Sequence, residues 1–226
     1  MKKVPAVLFL VLVLFLPAKA QNDTLEYRHR PFQFTFMFPP LSTNGIDNVH
    51  IINDVSLNLF IGVSGGVEIF EAGSFINVDR FYVNGVQLAG FGNMVGGFVN
   101  GLQAAGFMNV AGTYMNGLQA GGFMNVVGGY MNGFQAGGFM NVTGSYMNGF
   151  QTAGFLNVTG GKMTGLQTAG FLNIAGASDR GIQAAGFGNV SGGGTIFFQG
   201  SGFFNVCLLY TSPSPRDRTR SRMPSS

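Results

Sequence analysis

Few residues in this chain carry side chains that do chemistry, and their spacing argues against a reactive centre. The two histidines, His29 and His50, have no acidic cluster at metal-ligand spacing around them, so they read as surface or turn residues and not as ligands. The single cysteine, Cys207, falls in an atypical terminal stretch; without it no thiol nucleophile, disulfide or thiolate metal site is available. Within residues 75–206 the only acids are Asp79 and Asp179, which supports neither a paired-carboxylate hydrolase nor a calcium-binding nonapeptide solenoid. The glycine-rich text holds no G-x-x-x-x-G-K-[ST] phosphate loop, and its glycines mark corners. The sequons at Asn141 and Asn157 fall out of a repeat, and Thr143, Thr152, Thr159 and Thr168 are too scattered for a regular ice-binding array. Asp179–Arg180 reads as a solvated corner pair. No catalytic, cofactor-binding or metal-binding residue is expected.

What positions these residues is a phrase of sixteen, F-x-N-V-x-G-x-x-x-N-G-L-Q-A-A-G, that recurs from Phe75 to Val206. Counting the Phe as position 1, it returns at 75, 91, 107, 123, 139, 155, 171, 187 and 203; Asn holds position 3 and Gln position 13 throughout. Within a unit, Leu102, Ala104, Gly106, Met108 and Val110 share one parity and Gln103, Ala105, Phe107 and Asn109 the other, which is strand alternation. From Gly85 on, glycine at least every six residues disfavours helix, and stretches such as Gly112–Gly117 hold Gly and Asn where a chain turns.

The ends differ in kind. Met1–Ala20 has a basic start, an apolar run from Val4 to Leu16 and small residues at Ala18 and Ala20, the layout of a cleaved secretory signal. Cys207–Ser226 resembles a translated sequencing adapter, so the native frame is expected to continue past Val206. Without the leader and that tail, 5 basic residues face 8 acidic, a balance of −3 in place of +3, and a basic patch for nucleic acid is not expected. Residues 21–74 form a β-rich lead-in. Phe32, Phe34, Phe36 and Phe38 alternate with polar residues, as do Val55, Leu57, Leu59, Ile61 and Val63 with Ser56 and Asn58. Leu59–Ser74 reads as a degenerate repeat, with Glu71 where Gln would stand.

Two all-β architectures fit. In a β-solenoid of about eight coils, each repeat is one coil stacked in register on the next, at about 4.8 Å. In an antiparallel outer-membrane barrel each repeat is one strand. A barrel alternates short turns with long loops and so predicts a period of two repeats, whereas the period here is one. Register also explains the amides, because a stacked Asn or Gln donates to one neighbour and accepts from the other. The solenoid is therefore expected, with structural ladders through Phe107, Phe123, Phe139 and Phe155, through Asn109, Asn125, Asn141 and Asn157, and through Gln103, Gln119, Gln135 and Gln151. The position-12 row (Leu102, Leu118, Phe134, Phe150, Leu166) and the Val110, Val126, Val142, Val158 row are expected inside. The side taken by the Phe row stays open, since the preceding Gly can reset parity.

The phrase G-[LVIF]-Q-x-x-G-F-x-N-[VI], behind a signal and a Phe-rich lead-in, resembles the surface-repeat-containing family of Leptospira and Bacteroidetes. That resemblance implies an exported protein of the outer membrane or cell surface and supplies no catalytic residues. The expectation is a non-enzymatic structural or interaction protein without cofactor or nucleic-acid partner, meeting the outer membrane or another surface protein; the alternative is an integral outer-membrane barrel serving as pore or scaffold. Sequencing the native locus across the codon for Val206 checks the reading of the tail: further repeats are expected, and a genomic frame encoding Cys207–Ser226 would overturn it.

Overall fold

The computed structural model describes residues 28–37 and 41–208, which form a β-solenoid of about ten turns. The leader, Phe38 and the tail beyond Leu208 lie outside the described residues. From β1 (Arg28–Met37) and β2 (Leu41–Ser42) the chain passes a 3-10 turn, Gly45–His50, into β3 (Ile51–Asn58), β4 (Ile61–Gly73) and β5 (Ile76–Ala89). Most of the following coils divide into a short and a long strand, as in β6 (Gly92–Val95) with β7 (Phe98–Ala105) and β8 (Met108–Ala111) with β9 (Met115–Gly121), whereas Leu156–Ala169 and Leu172–Ala185 each run as one strand. The count exceeds the eight expected because the lead-in coils too: β1 pairs parallel with β3, β3 with β4 and β4 with β5. Glu71 lies opposite Gln87, as the degenerate repeat requires.

Every pairing between successive repeats is parallel, and away from the bulges near Ser64 and Asp179 it is in register, Met108 on Met124 on Met140 and Gln119 on Gln135 on Gln151. The one antiparallel pairing among the described strands joins β1 to β2. A barrel with one strand per repeat needs antiparallel neighbours, so the barrel alternative is overturned. The Tyr114, Tyr130, Tyr146 series is a stack of rings along the solenoid, where a barrel would need an interfacial girdle.

The interior also departs from expectation. Positions 3, 5, 9 and 13 point inward, and two of these rows are amides: Asn109, Asn125, Asn141 and Asn157, and Gln103, Gln119, Gln135 and Gln151, are buried. Beside them runs an apolar file of Val95, Val99, Ala111, Met115, Val127, Met131, Met147 and Met163. The position-12 row faces outward instead, with Leu118, Phe134 and Phe150 exposed, and Val126, Val142 and Val158 are only half-buried, although Val110 is buried. The lead-in inverts likewise: Gln33, Thr35, Ser56 and Asn58 are inside while Phe32, Phe34 and Phe36 are exposed. The physical reason is the register. An in-register amide satisfies its own donors and acceptors inside a coil, so the polar parity can be the buried one.

Two corners set this phase. At Gly117 the chain takes φ 127, and a Cβ there would lie 2.0 Å from the Gly101 carbonyl oxygen; the bend brings both Met115 and Gln119 inside. At the Gly106–Phe107 corner parity resets, so Phe107 turns outward between two inward residues, Gln103 and Asn109. Where position 9 is Asp179, the register slips by one: Ser178 pairs with Met163 and is buried in its place, and Arg180 sits exposed at φ 57.

Changing Asn125, Asn141 and Asn157 together to Asp tests the ladder. Stacked buried carboxyls titrate above the unfolded value of about 3.9. Stability is therefore expected to stay near that of the parent below this pH and to fall steeply as pH rises to neutrality. Equal thermal midpoints of variant and parent at neutral pH would overturn the in-register ladder.

Candidate functional site

Two amide rows run the length of the coils and a third spans the first of them, and their polarities differ. In the inner Asn row each Nδ2 donates to the Oδ1 one coil toward the C-terminus, from Asn77 to Asn205, at 2.8–3.0 Å. Its second hydrogen goes to the carbonyl of position 14, as from Asn109 to Ala120. The Gln row runs the other way: Gln103 donates to Gln87, Gln119 to Gln103 and so on to Gln199, at 2.6–2.9 Å. An outer row at position 10, Asn100, Asn116 and Asn132, also donates toward the N-terminus.

The polarity of each row dictates what must end it. The inner Asn row presents an acceptor at its N-terminal end, Asn77 Oδ1, and Asn58 Nδ2 donates to it at 2.9 Å. The other two rows present donors there and meet carboxylates. Gln87 Nε2 donates to both Glu71 (2.8 Å) and Asp79 (2.5 Å), and Asn84 Nδ2 donates to Glu68. The Tyr82 hydroxyl also donates to Glu68, and these two bonds, Tyr82 first, hold its carboxyl below the usual range.

Thus the structure joins two acids that sequence spacing left apart. Asp79 at position 5 faces position 13 across the interior, its carboxyl hydrogen-bonds to that of Glu71, and both residues are fully buried. Burial, then the neighbouring Glu71 charge, pushes Asp79 well above the ordinary carboxylate range. A buried carboxyl beside another favours its protonated form, which Asp79 keeps. Sealed from solvent, the pair serves the ladder. The signal for it was there: Glu71 stands one repeat before Gln87, and Asp79 half a repeat before it. The bulge between Ser64 and Gly66 hid the register.

Outside, the ladder residues Phe107, Phe123, Phe139 and Phe155 stack ring on ring with Phe75, Phe91, Phe171, Phe187 and Phe203, at centroid spacings of 4.6–5.0 Å. Their outer edges stay open, with Phe107 37% exposed. A second stack, Tyr82, Phe98, Tyr114, Tyr130 and Tyr146, occupies the other corner. Next to the Phe row lies an open trough of about 1110 Å³ floored by Ala and Gly of positions 14–16, from Leu57 and Ala72 to Thr152 and Gly154. Sequence reasoning missed it because alanines and glycines carry no chemical signal singly.

Among the described residues no three of His, Cys, Asp and Glu gather into a metal-binding group. His29 and His50 stand in the lead-in, and His50 Nε2 lies 3.2 Å from Arg80 Nη1. The arrangement can therefore do two things: hold a long, rigid stack, and present aromatic edges beside an apolar trough.

The acid pair has a measurable signature. Because the native state holds a proton on Asp79 above the unfolded value near 3.9, stability from this pair is intact at low pH and is lost as pH rises. The limiting slope for one proton is about 1.4 kcal/mol per pH unit. Asp79→Asn is expected to flatten that part of the stability–pH curve above pH 5, and parallel curves for variant and parent would overturn the proton held on Asp79. Compared with known proteins, the chain matches no family model, no curated protein and no solved structure.

Proposed function

We propose that this is an exported, non-enzymatic repeat protein of the cell surface or outer membrane, a rigid scaffold whose outer face meets another surface. The observation that carries the reading is the continuous row of half-exposed Phe edges beside the apolar trough. A soluble monomer rarely leaves so long an apolar strip uncovered. The secretory layout of residues 1–20 and the resemblance to surface-repeat proteins point the same way. Among the described residues the Glu71–Asp79 carboxyl pair is sealed in the interior and offers no substrate an approach, so a structural role is the economical reading of these acids.

Protease treatment of intact cells of the source organism, followed by fractionation, tests the location. The chain is expected in the envelope fraction and to be degraded without lysis. Recovery from the cytosol, intact until cells are broken, would overturn the proposal.

A further inference from the structure

The exposed apolar strip has a composition, a shape and a sidedness that together select an occupant. From Phe81 to Gly161 the chain carries no Asp, Glu, Lys, Arg or His. Those residues make four whole repeats and the halves that flank them. In-register stacking forbids rows of like charge, yet it permits outer rows of alternating sign, so the stack does not itself demand the depletion. Arg80 closes this stretch at one end and Lys162 at the other.

The trough asks nothing of a polar ligand. The carbonyls of Ala104, Ala120, Ala136 and Thr152 already accept from the inner Asn row. The amides of Gly106, Gly122, Gly138 and Gly154 already donate to the neighbouring coil. An added peptide strand or a glycan would find those groups taken and would bury its own unpaired. Hydrocarbon loses nothing there. The trough is also too long and open to enclose one small molecule, whose pockets run to about 1,000 Å³ and cover most of the ligand.

Sidedness supplies the orientation. The Phe edges and the trough of Ala and Gly adjoin at the Gly–Phe corner, and the outward Leu118, Phe134 and Phe150 stand on the same strands as the trough's Ala row, two residues before it. The Tyr114, Tyr130 and Tyr146 rings and the outer Asn row sit at the other corner and beside it, half a repeat away. One apolar and one polar side along a rod is the distribution of elements that lie in a membrane interface, with their apolar side about 5–10 Å into the acyl boundary. The Phe faces are already stacked on each other, so what remains is a smooth ridge of ring edges, which fluid chains cover without matching knobs.

We infer that the Phe ridge and the Ala/Gly trough beside it seat in the acyl region of a lipid leaflet, with the solenoid axis in the membrane plane and the Tyr/Asn side toward water. This rests on the surface role proposed above and names the surface. The chain has no Trp, so Phe123→Trp and Tyr130→Trp each install a sole fluorophore, one on each side. The purified full chains are mixed with phosphatidylcholine–phosphatidylglycerol vesicles, with and without bromine on the acyl chains.

Both proteins are expected to float with the vesicles. F123W should shift to the blue and lose most of its emission over brominated chains, while Y130W should change little. Since both reporters share one chain, the apolar leader cannot mimic that difference. Ala136→Asp, in the trough, should weaken vesicle binding several-fold and move the F123W emission back, with the circular-dichroism spectrum unchanged. Four results would each overturn the inference: no flotation; equal quenching of both reporters, which means immersion of the whole rod; a blue shift of F123W in lipid-free buffer that grows with protein concentration, which means a second copy on the ridge; or capture of free fatty acid without vesicle binding. Surface exposure on cells together with failure to bind vesicles would remove this inference alone. A cytosolic location with vesicle binding would remove the surface role instead.

Discussion

Every residue of the array must tolerate its own company. With a parallel register of one repeat, each side chain lies on its copy in the coil before and the coil after, at the spacing of neighbouring strands. Amides accept this because they donate on one side and accept on the other. Aromatic rings stack, glycines pass, and Met and Val pack on themselves. A charge cannot repeat. Like charges do not repeat along a row: Arg80 and Lys162 each stand in a row otherwise uncharged, and Arg180 shares its row only with the distant Glu68, of opposite sign. Composition, interior and surface all descend from that one condition.

Directionality is the second condition. A row of amides is a chain of donors with two unlike ends, and a finite solenoid must close both. The inner Asn row and the Gln row run in opposite senses, so their dipoles oppose across the thin interior and do not add over the length of the stack. Closure then needs an amide donor for one row and carboxyl acceptors for the others. The lead-in supplies Asn58, Glu71 and Glu68 where the repeats supply Asn and Gln. The degeneracy of that first repeat is thereby a requirement of the ladders, in line with the general need of repeat arrays for atypical ends.

Much of this was legible in the residues. A single-repeat period with invariant Asn and Gln led to in-register coils, and the structure has them; the ladders run through the residues named. The sides were not legible. Hydrophobic parity assumes an apolar interior, and here the interior is half amide because register meets the cost that normally bars Asn and Gln from a core. The position-12 row, inside on that assumption, lies outside. The Gly–Phe corner resets parity, and no pattern of apolar and polar residues reveals a corner's geometry. The Glu71–Asp79 pair was hidden because it depends on a bulge between Ser64 and Gly66 and on contact across a coil, neither of which sequence offset alone reports.

The register has a further consequence for how such a chain can change. Since each coil presents to its neighbours the same rows that it receives, gain or loss of whole repeats by recombination between like segments leaves every ladder continuous and every ring stacked. Loss of any other number of residues sets amide against ring and Met against Gly. Length can therefore drift in whole units at little energetic cost, altering the reach of the aromatic edge while its chemistry stays constant. A lineage could adjust how much surface it covers without redesigning what covers it.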